Sequence, residues 1–231
     1  MTKKKLQRFA EMETFANVIQ PAFEDVFHHD FHLKGQWNGR IFHNDNPLIL
    51  ELGCGKGEYT TGLAASNPEK NYIGVDIKGS RIWRGARTAL DERLYNVMFV
   101  RTRIELISSF FGPEEIDAIW LTFPDPQLKK KRKRLTSAGF LNLYRKFLKE
   151  NGLIHLKTDS AVLYDYTLDL ITRNKLGLKC HSSDLYQDSP GFEIPDIRTY
   201  YEQQYLQEGR KIHYLCFGLN NGKEIVEIPE K

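Results

Sequence analysis

Residues 48–58 read LILELGCGKGE. An apolar run carries Glu51 near its end and passes at once into Gly53-x-Gly55-x-Gly57, after which helical spacing begins. A strand, a glycine turn and a helix in that order open a nucleotide-type cofactor site. Glycine belongs there because a side chain would block the close approach of backbone to ligand. The same glycines would also serve a tight structural loop, and the acids separate the two readings. Glu51 stands where a pyrophosphate would be repelled and where a ligand carrying an ammonium and a sulfonium is attracted. S-adenosylmethionine (SAM) carries both and has no phosphate. The next apolar run, NYIGVD, ends in Asp76, about 20 residues on, the place from which a carboxylate accepts both ribose hydroxyls. Glu58 stands where a G-x-G-x-x-G turn needs its third glycine, which argues against a nicotinamide dehydrogenase.

The rest of the chain alternates in the same manner. Apolar runs predict strands at 48–52, 71–76, 97–101, 116–122 and 153–157, with another in KIHYLCFGL near the end. Helical spacing falls near 58–66, 79–95, 104–110, 136–149 and 160–176, the last capped at Asp159-Ser160. Strands separated by helices predict an α/β fold, a mostly parallel twisted sheet with ligands at the carboxyl ends of its strands. The chain has 231 residues, 41% of them hydrophobic, enough for one large core. Residues 1–45 are polar-aromatic and irregular, and are expected to form an N-terminal arm or lid. No apolar stretch approaches the ~20 residues of a membrane span, and the start, MTKKKLQRF, lacks a signal-peptide core. Cys54, Cys180 and Cys216 are odd in number and widely spaced, fitting neither a disulfide framework nor a metal set. A reduced, cytoplasmic protein is expected.

Two further segments sit at strand ends. In TFPDPQLKKKRKR, Pro124 and Pro126 stiffen the backbone on both sides of Asp125. That aspartate either works on a ligand or caps a turn. Lys157-Thr158-Asp159 ends the fifth strand, and its aspartate serves a ligand, the helix cap, or both. Residues 129–134, KKKRKR, hold six positive charges against a net charge of +3, leaving the rest of the chain slightly acidic. The run is either a solvated face or a hold on RNA phosphates. Tyr200, Tyr201 and Tyr205 are either base-stacking or core residues. His28-His29-Asp30-x-His32 has zinc-binding residue types without a helical His pair or a further ligand nearby, so no metal is expected.

Over roughly 46–218 the chain resembles the bacterial tRNA (guanine-N7)-methyltransferases. Four ordered blocks carry the resemblance: ELGCGKG at 51–57, GVD at 74–76, FPDP with its basic run at 123–134, and TYYE at 199–202 before a final strand. FPDP followed by basic residues is the most specific. The resemblance implies a class I, Rossmann-like SAM-dependent methyltransferase domain over 46–231, with S-adenosylhomocysteine as product and tRNA as partner. It implies cofactor contacts at Glu51, Gly53, Gly55, Asp76, Thr102 and Asp125, with Asp125 also the catalytic acid. Substrate contacts are implied at Lys129, Asp159, Thr199, Tyr200, Tyr201 and Glu202. No obligatory protein partner is implied, and a homodimer is left open. Three positions depart from the family pattern: Gln127 stands for Trp, Tyr200 for a basic residue, and Thr102 for Asp or Asn.

Chemistry points the same way. Guanine N7 has a free lone pair and no proton at neutral pH, so its methylation needs placement rather than a strong base. Positive charge moves onto the base as the bond forms, and a fixed carboxylate stabilises it. Guanine also presents adjacent N1–H and N2–H donors that a carboxylate reads, which suits Asp125, Asp159 and Glu202. The expected function is methyl transfer from SAM to N7 of a guanosine in the tRNA variable loop. The alternatives are another SAM-dependent RNA, DNA or protein methyltransferase, or a non-catalytic RNA-binding relative.

Overall fold

The computed structural model describes residues 3–188, 194–220 and 222–229. Its elements run α1 (Lys3–Met12), β1 (Val18–Ile19), α2 (Phe23–Val26), a π-turn at Asn38–Phe42, β2 (Leu48–Leu52), α3 (Glu58–Ser66), β3 (Asn71–Asp76), α4 (Gly79–Asp91) and β4 (Val97–Arg101). A 3₁₀ turn at Ile104–Ser109, β5 (Ile116–Thr122), α5 (Ala138–Tyr144), β6 (Leu148–Thr158), α6 (Ala161–Arg173), β7 (Gly177–Ser182), α7 (Tyr200–Gln207) and β8 (His213–Gly218) follow. Among the described residues the strands form one sheet in the order β1-β4-β3-β2-β5-β6-β8-β7. The first six are parallel, and β8 runs antiparallel to both β6 and β7.

Side chains alternate across a strand with period two, and that alternation sorts the core into two layers. Leu48, Leu50, Ile73, Val75, Val100, Ile119, Leu121 and Leu156 face one side, with Leu141 and Tyr144 of α5 and Leu163 and Leu170 of α6. Ile49, Tyr72, Phe99, Trp120 and Tyr214 face the other, with Met12 of α1, Tyr59 and Leu63 of α3 and Ile82 and Ala86 of α4. Helices thus cover both faces, and the central strands are continuously buried. This is the α/β arrangement, a mostly parallel sheet with helices on both faces, that the sequence predicts. The strand order reverses at β2, which pairs with β3 on one side and β5 on the other. Ligands bind at such a switch point, outside the carboxyl ends of the strands.

Several elements differ from expectation. The helix expected over 136–149 ends at Tyr144, because β6 begins at Leu148, whose partner across the sheet is Ile116. The helix expected over 79–95 ends at Asp91, two residues before Arg93 turns left-handed at φ 56°. Within the segment 1–45, expected as an arm or lid, several described residues join the core and β1 joins the sheet. Trp37 is fully buried and its Nε1–H donates to the Phe110 carbonyl at 2.8 Å. Val26 and Leu33 join the same core layer, Met12 joins the other, and β1 extends the sheet edge beside β4.

The first helix after the glycine turn lies unusually close to α4. A Cβ built on Gly57 falls 2.6 Å from Phe99 Cε1 and 3.0 Å from Gly85 Cα, at a φ of +69°. Overpacking and a left-handed non-glycine residue add. Gly57→Ala is expected to lower unfolding free energy by about 2–4 kcal/mol in urea titrations. Gly139→Ala, in α5 with nothing within 4 Å, should be neutral or stabilising by about 0.5 kcal/mol.

Candidate active site

The turn after β2 is held by the end of β3. Gly53 N–H and Cys54 N–H both donate to the Val75 carbonyl, at 2.8 and 3.0 Å. Asp76 Oδ2 accepts from Gly55 N–H at 3.0 Å, and its Oδ1 accepts from Lys78 N–H at 2.7 Å. A carboxylate offers about four acceptor sites, so Asp76 braces the turn and retains capacity for a ligand. Gly53, Gly55 and Gly57 all have positive φ, the left-handed path that glycine takes at no steric cost.

Two cavities meet at Gly53. The first, about 110 Å³, is lined by Glu51, Gly55, Lys56, Tyr59, Arg81 and Thr122, among others. The second, about 410 Å³, is lined by Asp76, Ile77, Thr102, Ile104, Gln127 and Leu135, among others. A Cβ on Gly53 would meet only Leu135 Cδ1, at 3.8 Å, so the backbone of the turn lies open to both. A small charged chamber joined to a larger, partly apolar one suits an amino-acid tail joined to a nucleoside. The residues present therefore fit SAM.

Glu51 points to the α3 face and is 3% exposed. The hydroxyls of Thr60 and Thr122 donate to its two oxygens. Burial pushes its carboxyl up to about 7; the threonine hydrogen bonds oppose the shift, and the charge of Asp76 adds to it. An ammonium brought against Glu51 would favour the ionised form.

The FPDP loop crosses between the cavities. Phe123 lines the first and Gln127 the second. Both have left-handed backbones, φ 48° and 45°, which cost of order 1–2 kcal/mol each in a non-glycine residue. Such strain persists where surrounding structure over-determines it, and here Phe123 N–H is tied to the Lys157 carbonyl at 2.8 Å. Asp125 is exposed, and its Oδ1 accepts from Gln127 N–H at 2.9 Å. The turn-capping role of Asp125 is thus present, and its second oxygen remains free for a ligand.

The expected substrate residues divide. Thr199 caps α7 by accepting from Glu202 N–H, and Thr199 and Tyr201 line the first cavity. Tyr200 N–H donates to Glu58 Oε2 at 2.9 Å, and Lys56 Nζ lies 4.6 Å from the centre of the Tyr200 ring. Lys129 is exposed. Asp159 pairs with Arg210 at 3.0 Å. Glu202 is fully buried, paired with Lys157 Nζ at 2.7 Å and accepting from Tyr186 Oη–H at 2.8 Å. Asp159 and Glu202, expected to read guanine, here hold cations of the chain itself. Glu202 Oε2 is buried without a hydrogen-bond partner.

Sequence reasoning missed Lys56, Arg81 and Lys157. Lys157 had a signal: a lysine ending the buried strand LIHLK must find a counter-charge. It also missed α7, although T-x-x-E at 199–202 is a capping-box signature. Only half of that box forms, because the Glu202 side chain turns inward to Lys157.

The basic run is not uniform. Arg134 is 2% exposed, its Nε donates to the Pro126 carbonyl at 2.9 Å, and its guanidinium lies 4.3 Å from the centre of the Tyr166 ring. It holds the FPDP loop against α6 and is removed from the expected phosphate contacts. Lys133 lines the second cavity. Lys129, Lys130 and Arg132 stand exposed.

Residues 45–215 match a family model described as a putative methyltransferase. The tRNA (guanine-N(7)-)-methyltransferase of Christiangramia forsetii is 51% identical over 220 residues, 94% of this chain and 98% of that protein. The enzyme of the same name from Porphyromonas gingivalis is 52% identical over 211 residues, 90% of this chain and 86% of that one. This chain belongs to the tRNA (guanine-N7)-methyltransferase family. Solved structures with the same fold include the 16S rRNA methyltransferase KamB, with a TM-score of 0.60 at 11% identity, covering 79% of this chain and 92% of that one. A 30S ribosomal A1408 methyltransferase from an uncultured bacterium gives 0.55 at 16% identity, covering 80% and 98%.

The family's cofactor is SAM, and the linings of the two cavities at Gly53 fit it. Among the described residues no group of three or more His, Cys, Asp or Glu could hold a metal ion, and His28, His29, Asp30 and His32 form none. Among them, too, no helix is long and apolar enough to cross a membrane.

Because the Glu51 carboxyl is raised from 4.5 to about 7, SAM binding should release a proton below neutral pH. Affinity should therefore fall about tenfold per unit as pH drops below 7, read by calorimetry in buffers of different ionisation enthalpy, and Glu51→Gln should flatten the dependence. The free methyltransferase gains the stability of a neutral Glu51 below pH 4.5 and loses it as pH rises through 7. In the basic run, Arg134→Ala should cost about 2–3 kcal/mol of stability. Neutralising Lys129, Lys130 and Arg132 together should leave stability within about 0.5 kcal/mol and lower the salt slope of tRNA binding by about two to three.

Proposed function

We propose that this methyltransferase places N7 of a guanosine from the tRNA variable loop beside the junction of the two cavities. The observation that carries the reading is the identity of about half, over almost the whole chain, with enzymes that bear this activity in their names. When bound, SAM supplies an electrophilic methyl group on a sulfonium. The chain's own residues do the rest. Glu51 and the turn at Gly53 and Gly55 hold the amino-acid end, while Asp76 and Thr102 hold the adenosine. Asp125 stands on the strained loop between the two cavities with one oxygen free. That oxygen orients guanine and stabilises the positive charge that grows on the base, with no proton to remove.

Exposed Lys129, Lys130 and Arg132 follow closely on this loop and suit the phosphates that flank the target base. Tyr200, exposed beside the first cavity, offers a face for stacking. Asp159 and Glu202 join the substrate contacts only if Arg210 and Lys157 release them, so their part in the reading is to fix α7. The catalytic unit of this reading spans 46–231, and β1 of the preceding segment extends the edge of its sheet beside β4. Nothing in this reading calls for a second protein, and the reaction takes place where tRNA is, in the cytoplasm.

Incubation of bulk tRNA with the protein and labelled SAM, followed by nucleoside analysis, tests the reading. It should give 7-methylguanosine; methyl on an exocyclic amine would overturn it, since that chemistry must lose a proton. Asp125→Asn keeps the oxygen that holds Gln127 N–H and removes the charge. It is expected to fold normally and to lower kcat by ~100-fold or more with tRNA binding largely retained. Turnover close to wild type would remove the electrostatic role.

A further inference from the structure

The first cavity carries two cations that none of the expected contacts use. Arg81 stands in the first turn of α4, just beyond the strand end that carries Asp76, and its side chain lines the same chamber as Glu51. Lys56 sits in the glycine turn and lines the same chamber. Neither forms an ion pair with a carboxylate within 4.0 Å among the described residues. The Lys56 ammonium is instead held over aromatic faces, 4.6 Å from the Tyr200 centroid and 5.6 Å from that of Tyr201. The remaining acid of the chamber, Glu58, is engaged by Tyr200 N–H at the start of α7.

We propose that Arg81 and Lys56 form a carboxylate clamp for the amino-acid end of SAM, opposite Glu51. The inference rests on the SAM reading of the site and adds what its amino-acid end requires. That end is a zwitterion: an ammonium and a carboxylate on one carbon. Glu51 answers the ammonium, yet Glu51 alone would repel the carboxylate beside it. A chamber that pairs one buried acid with two unpaired bases matches both charges. Its 110 Å³ suits an amino-acid tail and is too small for a nucleotide, which separates the pair from the exposed basic residues after FPDP. Arg81 is the stronger member, because a guanidinium engages a carboxylate through two parallel N–H groups. Lys56 contributes a single ammonium already shared with two tyrosine rings.

Calorimetry with three ligands on purified protein decides the matter. SAM carries the carboxylate; decarboxylated SAM keeps the ammonium and sulfonium without it; 5′-methylthioadenosine lacks the whole tail. Arg81→Gln should weaken SAM by about tenfold to fiftyfold, the scale of a lost charge-assisted pair. It should leave the other two ligands within about twofold. Lys56→Gln should give the same pattern at about threefold to fivefold, and Arg81→Lys should recover part of the loss. Both residues are at least partly exposed, and thermal unfolding of each variant checks that the fold is intact. Equal weakening of SAM and decarboxylated SAM would overturn the clamp, placing Arg81 on the adenosine or on the fold. Unchanged SAM affinity with a raised KM for tRNA would also overturn it and assign the cations to an RNA phosphate. Wild-type protein that binds none of the three ligands would bring down the SAM reading itself, a result distinct from either.

Discussion

The end of β3 governs the site. The Val75 carbonyl takes two consecutive N–H groups of the turn after β2, and the Asp76 carboxylate takes a third. These bonds fix three successive backbone donors that no helix or strand would otherwise satisfy. They also hold the turn in the left-handed path that opens Gly53 to both cavities. Asp76 is therefore a structural brace that also lines the second cavity. Its bracing role explains why it is 9% exposed while lining a cleft. Removing its side chain would disturb the turn as well as any ribose contact, so loss of cofactor at this position cannot be read as a single lost hydrogen bond.

The parts of the fold that were legible in the sequence are those whose signal is local. Four of the central strands, at 48–52, 71–76, 97–101 and 116–122, coincide with the expected ranges, because a buried parallel strand is a short apolar run bounded by turn residues. β7, with GLKCHS, was invisible: it is an edge strand, mostly exposed, with hydrogen bonds on one side only. The core contribution of Trp37 was hidden for the opposite reason. It follows from a long-range bond to Phe110 and packing against Phe111, and no periodicity in a polar segment announces such a contact.

The candidate site divides along the same line. Glu51, Gly53, Gly55 and Asp76 lie in one local motif with its partner strand, and the structure brings them together around two cavities. Glu202 and Asp159 are expected as substrate contacts from the family resemblance and from the fit of a carboxylate to guanine. Their partners, Lys157 and Arg210, come from 45 and 51 positions away in the chain, and spacing holds no trace of them. In the basic run, composition could not tell Arg134, which lies under the FPDP loop, from its exposed neighbours. One residue of burial phase separates a structural cation from a surface one, and a run of six like residues erases that phase.

Lys157 links the FPDP loop to α7. Its backbone carbonyl receives Phe123 N–H, which starts the strained FPDP loop. Its ammonium donates to Glu202 Oε1 and to the Ile197 carbonyl, the latter at 3.2 Å, which fixes the entry to α7. Burial pulls the lysine below its ordinary value and the Glu202 charge opposes that pull. A buried ion pair of this kind is weak evidence for stability, since its desolvation offsets most of its attraction. Its worth here lies in registry. A hydrophobic pair of the same volume would fill the space but would not specify which carboxylate, carbonyl and helix turn must meet at the end of β6. The unpartnered Glu202 Oε2 and the unpartnered Tyr59 hydroxyl nearby show that the arrangement is not one of maximal stability. It positions the FPDP loop on one side and Thr199 to Tyr201 on the other from a single strand end, so that the two segments keep a fixed relation.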